Sequence, residues 1–479
     1  MGKLWWPGVT RCGRRIPFRN KHRLPVMGCW CVQVRSNKAV LFSATVLLAG
    51  AGLRLWVIHA HPQVQGDSLL YGDIAANWLK HGIYGHTVGH ANGPDTIEPT
   101  LTRLPGYPAF LALCFAIFGI GKYFPVLYVQ AAVDLVSCLL ISGLAAKVCG
   151  VRAGQIALVL AALCPFTANY CAAPLTETLS IFCVALGFRA LAEVLERPGL
   201  AWVSLLVFSW SFSTLLRPDG ALLAVVLFVA WVANRPQSFR LAIVAGLVSV
   251  LPFAGWAARN LHTFHVFQPL APRYANDPGE DPFEGYIRWV RSFAADFTTT
   301  SEIYWNGNSD VINPANLPAR AFDDAAQKQK TLRLLAEYND TTTLTPEFDA
   351  RFAELAQERA HSHPFRFYVE LPLLRLADMW LRPRVETFNV ALRWWQYDLH
   401  PAETRLALYY GAINLAYLAA AFAGTLRRPR LLGAMLGFIA LRSLLLVTLE
   451  APEARYTLEC FPVLIVMAAC APCWSRARS

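Results

Sequence analysis

Residues 39–59 read AVLFSATVLLAGAGLRLWVIH, an apolar run long enough to cross a bilayer as a single helix. Nine Lys and Arg lie within residues 1–38, and no acidic residue occurs before Asp67. A basic tail directly before an apolar run is the pattern of a cytoplasmic N-terminus facing anionic lipid. The run lacks a small-residue cleavage pattern and further apolar runs follow it, so it reads as an uncleaved first helix rather than a leader peptide.

The rest of the chain agrees. Of 479 residues 55% are hydrophobic and only 16% charged, below the share that soluble domains carry. Apolar segments recur near 105–120, 124–146, 153–173, 174–194, 199–216, 219–234, 241–260, 405–424, 431–450 and 456–473. Arg427, Arg428 and Arg430 mark one cytoplasmic turn, and Arg476 and Arg478 mark a cytoplasmic C-terminus. With both termini on one side the number of spans is even. About ten spans are therefore expected, with either 105–120, broken by Pro105 and Pro108, or one of the pair flanking Arg217-Pro218-Asp219 short or re-entrant.

The fold class is thus an all-α polytopic membrane protein. Residues 1–38 are a basic cytoplasmic tail, 39–260 an N-terminal membrane module and 405–473 the C-terminal membrane helices. Two long loops, 60–104 and 261–404, fall on the extracytoplasmic face and hold 24 of the 32 acidic residues. Within the second loop, 320–338 and 346–361 show helical spacing of apolar residues, with Thr345 placed to cap the latter. The stretch 365–382, with Trp380, Trp394 and Trp395, has the aromatic and arginine pattern of a helix lying in the membrane interface.

The formal charge of +11 is concentrated in the N-terminal tail, which favours a lipid surface over nucleic acid. Twelve cysteines lie in the tail or in and beside apolar segments, so no disulfide framework is expected. Neither Cys29-Trp30-Cys31 nor Cys470-Ala471-Pro472-Cys473 has the second ligand pair that a zinc site needs.

Polar residues capable of chemistry gather at the ends of the first loop. Gly66-Asp67-Ser68-Leu69-Leu70-Tyr71-Gly72-Asp73 follows the first span, and helical spacing puts Asp67, Tyr71 and Ile74 on about one face. A carboxylate at that depth can act as a base toward a hydroxyl within reach of a lipid headgroup. A lone acid there also serves as a helix cap. The loop closes on Thr102-Arg103-Leu104-Pro105-Gly106-Tyr107-Pro108, bringing a guanidinium to the mouth of the next apolar segment. There it can hold a phosphate by paired hydrogen bonds, or snorkel to the interface. Asp134 lies inside an apolar segment and requires a partner.

The Asp67-x-x-x-Tyr71 element followed by Arg103-Leu-Pro-Gly-Tyr-Pro resembles the GT-C superfamily of membrane glycosyltransferases, in its protein O-mannosyltransferase and aminoarabinose-transferase-like branch. Further matching pieces are Pro174-Leu175-Thr176-Glu177-Thr178, Leu216-Arg217-Pro218-Asp219, Trp256-Ala257-Ala258-Arg259-Asn260, His363-Pro364-Phe365-Arg366-Phe367-Tyr368 and Glu453-Ala454-Arg455-Tyr456. The resemblance implies inverting transfer of a sugar from a polyprenyl-phosphate donor to an acceptor hydroxyl on a lipid, glycan or protein. It places the enzyme in a bacterial cytoplasmic (inner) membrane with its active site on the extracytoplasmic face. Asp67 is the implied catalytic group, and Arg103, Arg259 and Arg455 are the implied contacts of the donor phosphate. Tyr71, Asp73, Tyr107, Glu177, His262 and Tyr456 are candidate substrate contacts.

No metal ligand is assigned and no cofactor is required. Some relatives carry an acid where this chain has Thr102, and Glu98 is out of register with it, which leaves a divalent metal as an open question. Two other classes compete: a transporter or flippase of lipid-linked sugars, which would place polar residues at the midplane between repeated halves, and a non-catalytic envelope assembly protein using the second loop as a platform.

Overall fold

The computed structural model describes residues 28–90 and 93–473. The basic tail up to residue 27 lies outside them, as do Arg476 and Arg478. Contacts divide the chain into Met1–Thr45 and Val46–Ser479.

The architecture is helical and membrane-embedded. Among the described residues five helices are long and apolar enough to span a bilayer: Asn37–Ala60, Tyr123–Cys149, Glu177–Glu196, Pro236–Phe264 and Pro401–Thr425. Five shorter apolar helices accompany them, Gly106–Phe118, Val151–Ala162, Leu200–Leu216, Pro218–Asn234 and Leu432–Leu446. The final apolar helix is Phe461–Cys470. The sequence expects one short or re-entrant segment at either of two places, and both hold helices of the shorter group. At 1.5 Å per residue the 13-residue helix Gly106–Phe118 reaches only about 20 Å. Leu200–Leu216 and the next helix are separated at Arg217, whose backbone is extended.

A third break was not anticipated. Segment 153–173 divides into Val151–Ala162 and Pro165–Tyr170. Pro165 cannot continue a helix, and it holds Cys164 extended at φ −65°, ψ 112°. Carbonyls freed in apolar surroundings must find donors. Arg54 supplies one, donating from Nη1 to Ala162 O at 2.7 Å, and the Tyr417 hydroxyl donates to Leu160 O at 2.7 Å. Arg54 is also the partner that Asp134 requires, with Nε to Oδ2 at 2.7 Å and both residues buried. Removing one member of a buried pair leaves the other charge uncompensated. Asp134→Ala should therefore destabilise the protein by about 3–5 kcal/mol. Thermal unfolding in detergent, compared with the wild type, checks this.

The first loop opens with the helix Asp67–His81. Gly66 precedes it at φ 55°, a conformation that a side chain would strain, so the chain turns sharply out of the first helix and Asp67 becomes the first helical residue. An antiparallel hairpin follows, Gly85–Val88 against Thr96–Pro99, a small exception to an otherwise helical fold. Asp73 fastens the hairpin to the helix by accepting from Thr87 N at 2.6 Å and Thr87 Oγ1 at 2.9 Å. At the far end of the loop Gly106 meets the neighbouring helix so closely that a Cβ would lie 2.6 Å from Leu215 O.

The second loop has its own core, built on Trp289, Phe293, Leu335 and Phe352. The expected surface helices are Ala325–Asn339 and Pro346–Ser362, the latter capped by the Thr345 side chain accepting from Phe348 N. Stretch 365–382 forms a wide turn, Arg366–Glu370, and the helix Leu371–Leu381, with Phe365, Tyr368, Leu373 and Leu381 exposed. The two loops meet where Leu101 N donates to Asp277 Oδ1 at 2.7 Å.

One expectation is corrected. Cys149 and Cys470, the last residues of two apolar helices, form a disulfide with Cα atoms 5.9 Å apart. Only the packing of these helices brings together cysteines 321 residues apart, so their spacing carried no signal.

Candidate active site

The loop-side ends of the membrane helices form a charged cluster around Asp67. Arg103 Nη2 lies 3.1 Å from Asp67 Oδ1, and Arg455 Nη2 lies 3.6 Å from Oδ2. The two cations come from opposite ends of the sequence. Leu104-Pro105-Gly106 anchors Arg103 through the close helix approach at Gly106, whereas Arg455 sits in the tight turn Ala454–Cys460 before the last helix. The Asp67 side chain keeps 39% of its surface exposed, so a reactant can reach the carboxylate past its two partners.

Burial pushes the Asp67 carboxyl upward, but Arg103 and Arg455, reinforced by the hydrogen bond from Arg103 and the field of Arg217, outweigh it and hold the pKa below the usual aspartate value. Position at a helix N-terminus adds in the same direction. Asp67 is therefore ionised at neutral pH.

Behind this trio a buried network runs into the bundle. Glu177, 2% exposed, lies 3.8 Å from Arg455 and 3.5 Å from Arg217. Arg217 is 3.2 Å from Asp219 and 3.6 Å from Glu459, and Arg442 binds both of those acids at 3.0 and 2.8 Å. Tyr456 lies beneath two guanidinium groups, Arg217 at 4.8 Å and Arg455 at 5.4 Å from its ring centre. Glu453 holds Arg455 at 2.6 Å. Among the described residues neither Glu177 carboxylate oxygen has a hydrogen-bond donor, despite the nearby cations.

The expected residues separate into groups. Asp67, Tyr71, Arg103, Glu177, Arg455 and Tyr456 line one cavity. Tyr107 lies behind it, packed edge-on against Tyr71 at 5.1 Å with its hydroxyl donating to Gln130 at 2.7 Å. Arg259 is elsewhere. It donates to Tyr84 O and Thr100 O at 2.7 and 2.8 Å between the rings of Tyr84, Trp256 and Phe264, and ties the end of the first loop to the helix Phe239–Phe264. Asp73 is engaged with the hairpin, and His262 is exposed. Among the described residues no group of three or more His, Cys, Asp or Glu could hold a metal ion. Sequence reading missed Arg442 and Glu459, although each is a charge within an apolar run. It also missed Glu386, Phe297 and Trp305, which carry no such signal.

Two cavities of about 560 Å³ each share Asp67, Leu175 and Arg455 in their walls. The first is flanked by Leu216, Leu222, Leu445 and Leu449, side chains of membrane helices and their ends, and carries Arg103, Arg217, Arg273 and Arg455 against Asp67, Glu177 and Asp219. The second is bounded by Gln63, Tyr170, Phe297, Trp305, Glu386, Thr387 and Glu453, and Arg455 is its only cation.

Residues 99–256, about a third of the chain, match the model of the dolichyl-phosphate-mannose-protein mannosyltransferase family. The match includes Arg103, Glu177 and Arg217 and leaves Asp67 and Arg455 outside. No curated protein sequence matches the chain. The oligosaccharyltransferase of Archaeoglobus fulgidus, solved with a tethered acceptor peptide, is 14% identical, with a TM-score of 0.47, 90% of this chain and 49% of that chain covered. ArnT from Cupriavidus metallidurans in the apo state is 16% identical, with a TM-score of 0.37 and coverages of 91% and 77%. ArnT bound to undecaprenyl phosphate gives 14% and 0.33, with coverages of 91% and 78%. The chain spans about half the length of the archaeal enzyme, and at these similarities nothing about the site is transferred from either. The resemblance read from the motifs stands on the family match, and the chain is accordingly similar to the GT-C superfamily of membrane glycosyltransferases.

Proposed function

We propose that this protein transfers a sugar from a polyprenyl-phosphate donor to an acceptor hydroxyl, with inversion, at the extracytoplasmic face of a bacterial cytoplasmic membrane. The observation that carries the reading is the position of Asp67 in the wall shared by two cavities of opposite charge. The first cavity sets four arginines against three carboxylates and continues between leucines of membrane helices, which suits a phosphate attached to a prenyl chain.

In this reading Arg103 and Arg455 bind the phosphate and stabilise the charge that builds on it as the glycosidic bond breaks. The leaving phosphate is already ionised, so no general acid is required. Asp67 accepts the proton of the acceptor hydroxyl as that oxygen attacks the anomeric carbon from the side opposite the phosphate. Glu177, with two unpartnered buried oxygens, accepts hydrogen bonds from hydroxyls of the donor sugar. Both Asp67 oxygens face guanidinium groups, and Thr102 stands where some relatives carry an acid. These residues do not make a divalent-metal site at Asp67, and no step is assigned to a metal. A donor that moves within the bilayer also fits a site at its boundary, where nucleotide sugars are not expected.

The test uses full-length protein in lipid vesicles with radiolabelled polyprenyl-phosphate sugars and extracted envelope material as acceptor. The expected result is labelled product together with stoichiometric free polyprenyl phosphate. Movement of the intact lipid-linked sugar between leaflets, without release of polyprenyl phosphate, would establish a flippase instead.

A further inference from the structure

The second cavity shares Asp67 with the first but has the opposite electrostatic character. Asp67, Glu386 and Glu453 face it, against Arg455 alone. A phosphorylated acceptor would bring like charge to three carboxylates, a juxtaposition that disfavours binding. The walls also hold an aromatic corner. Trp305, 47% exposed, and Phe297 meet edge-to-face at 5.6 Å and 85°. The second loop fixes this corner, since Phe297 N donates to Asp378 Oδ2 at 3.1 Å, and Asp296 caps the same turn through Thr299 N at 2.8 Å.

The same walls hold hydrogen-bonding groups with unused capacity. Among the described residues Thr387 Oγ1 has no partner although the residue is only 7% exposed, and Glu386 Oε1 is likewise buried and unpartnered. Gln63 and Gln65 border the rim and bond to each other at 2.9 Å. Glu453 is already engaged with Arg455 and Tyr456, so Glu386 and Thr387 are the groups free to meet a ligand. An indole face packs against the C–H face of a sugar ring, while carboxylate and hydroxyl groups opposite it receive and donate hydrogen bonds at the ring hydroxyls. Few other ligands present an apolar face and a fringe of hydroxyls together.

We propose that this cavity seats the acceptor, and that the acceptor is a carbohydrate lacking phosphate, held between Trp305 and the Glu386–Thr387 edge with one hydroxyl directed at Asp67. This rests on the transfer reading for the role of that hydroxyl; the binding chemistry stands independently of it.

Binding is therefore measured without turnover. Detergent-solubilised full-length protein is applied to an array displaying neutral, amino and phosphorylated oligosaccharides beside Ser/Thr-containing peptides, with no donor present. The expected pattern is retention on neutral or amino saccharides, weakened about tenfold in Trp305→Ala. Glu386→Gln should relax the discrimination against phosphorylated saccharides. Binding of labelled polyprenyl phosphate by Trp305→Ala at wild-type strength shows that the variant is folded. Retention confined to phosphorylated saccharides or to peptides, or saccharide binding unchanged in Trp305→Ala, overturns the proposal. Saccharide binding of the expected pattern without any donor turnover would sink the transferase reading and leave this site standing.

Discussion

Asp67→Asn should lower sugar transfer by about 10²–10⁴-fold while binding of the labelled donor stays within a few-fold of wild type. The amide has nearly the shape of the carboxylate, and the helix start set by Gly66 is unchanged, so a loss of rate reports on charge and proton acceptance. Two effects decide the donor-binding half of the prediction, and both favour binding. Removing the carboxylate frees Arg103 and Arg455, 3.1 and 3.6 Å away, to engage the phosphate more fully, which favours binding. It also removes an anion close to an anionic ligand, which acts in the same direction. Donor affinity should therefore hold or improve as turnover collapses, a split that a misfolded variant would not give. Single-turnover transfer and equilibrium binding of the same preparation measure the two halves. Equal transfer by variant and wild type would remove Asp67 from the chemistry.

The broad architecture was legible because bilayer thickness imposes long apolar runs on a chain, and 39–59 and its successors announce themselves without tertiary information. Breaks inside those runs were legible where proline and charge coincide, as at Arg217-Pro218-Asp219. The break at Cys164-Pro165 was passed over, because its carbonyls are satisfied by Arg54 and Tyr417 from distant segments and a linear reading cannot see those donors.

The candidate site shows the same division. Asp67 and Arg103 lie at the ends of one loop and could be paired by their relation to the flanking spans. Arg455 joins them only through the packing of the last helix, and its motif singled it out without a contact. Arg259 looked equivalent to Arg103 because both border an apolar segment. Its guanidinium is occupied by loop carbonyls and three aromatic rings, a local demand invisible in sequence. Trp305, Glu386 and Thr387 left no trace, since a cavity wall assembled from irregular backbone has no periodicity to detect.

Arg103→Ala should both slow transfer by about 10²–10³-fold, the usual loss for one group that stabilises developing charge, and displace the acid limb of the rate profile. The sign of the displacement follows from the balance at Asp67. Burial raises its carboxyl, and Arg103 and Arg455 overcome that and hold it below the ordinary value. The base form is complete above the folded pKa and is lost as pH falls through it. Without Arg103 the burial effect is opposed by Arg455 and the weaker field of Arg217, so the pKa rises and activity fails at a higher pH than in wild type. Arg103→Lys separates the two duties, because an ammonium restores the charge beside Asp67 but not the planar fork for phosphate. It should return the acid limb toward the wild-type position while leaving donor affinity reduced. Profiles of kcat/KM against pH for the three proteins decide the matter. A slowed Arg103→Ala whose acid limb has not moved would mean that Arg103 does not set the Asp67 pKa in the resting enzyme and acts through the phosphate alone.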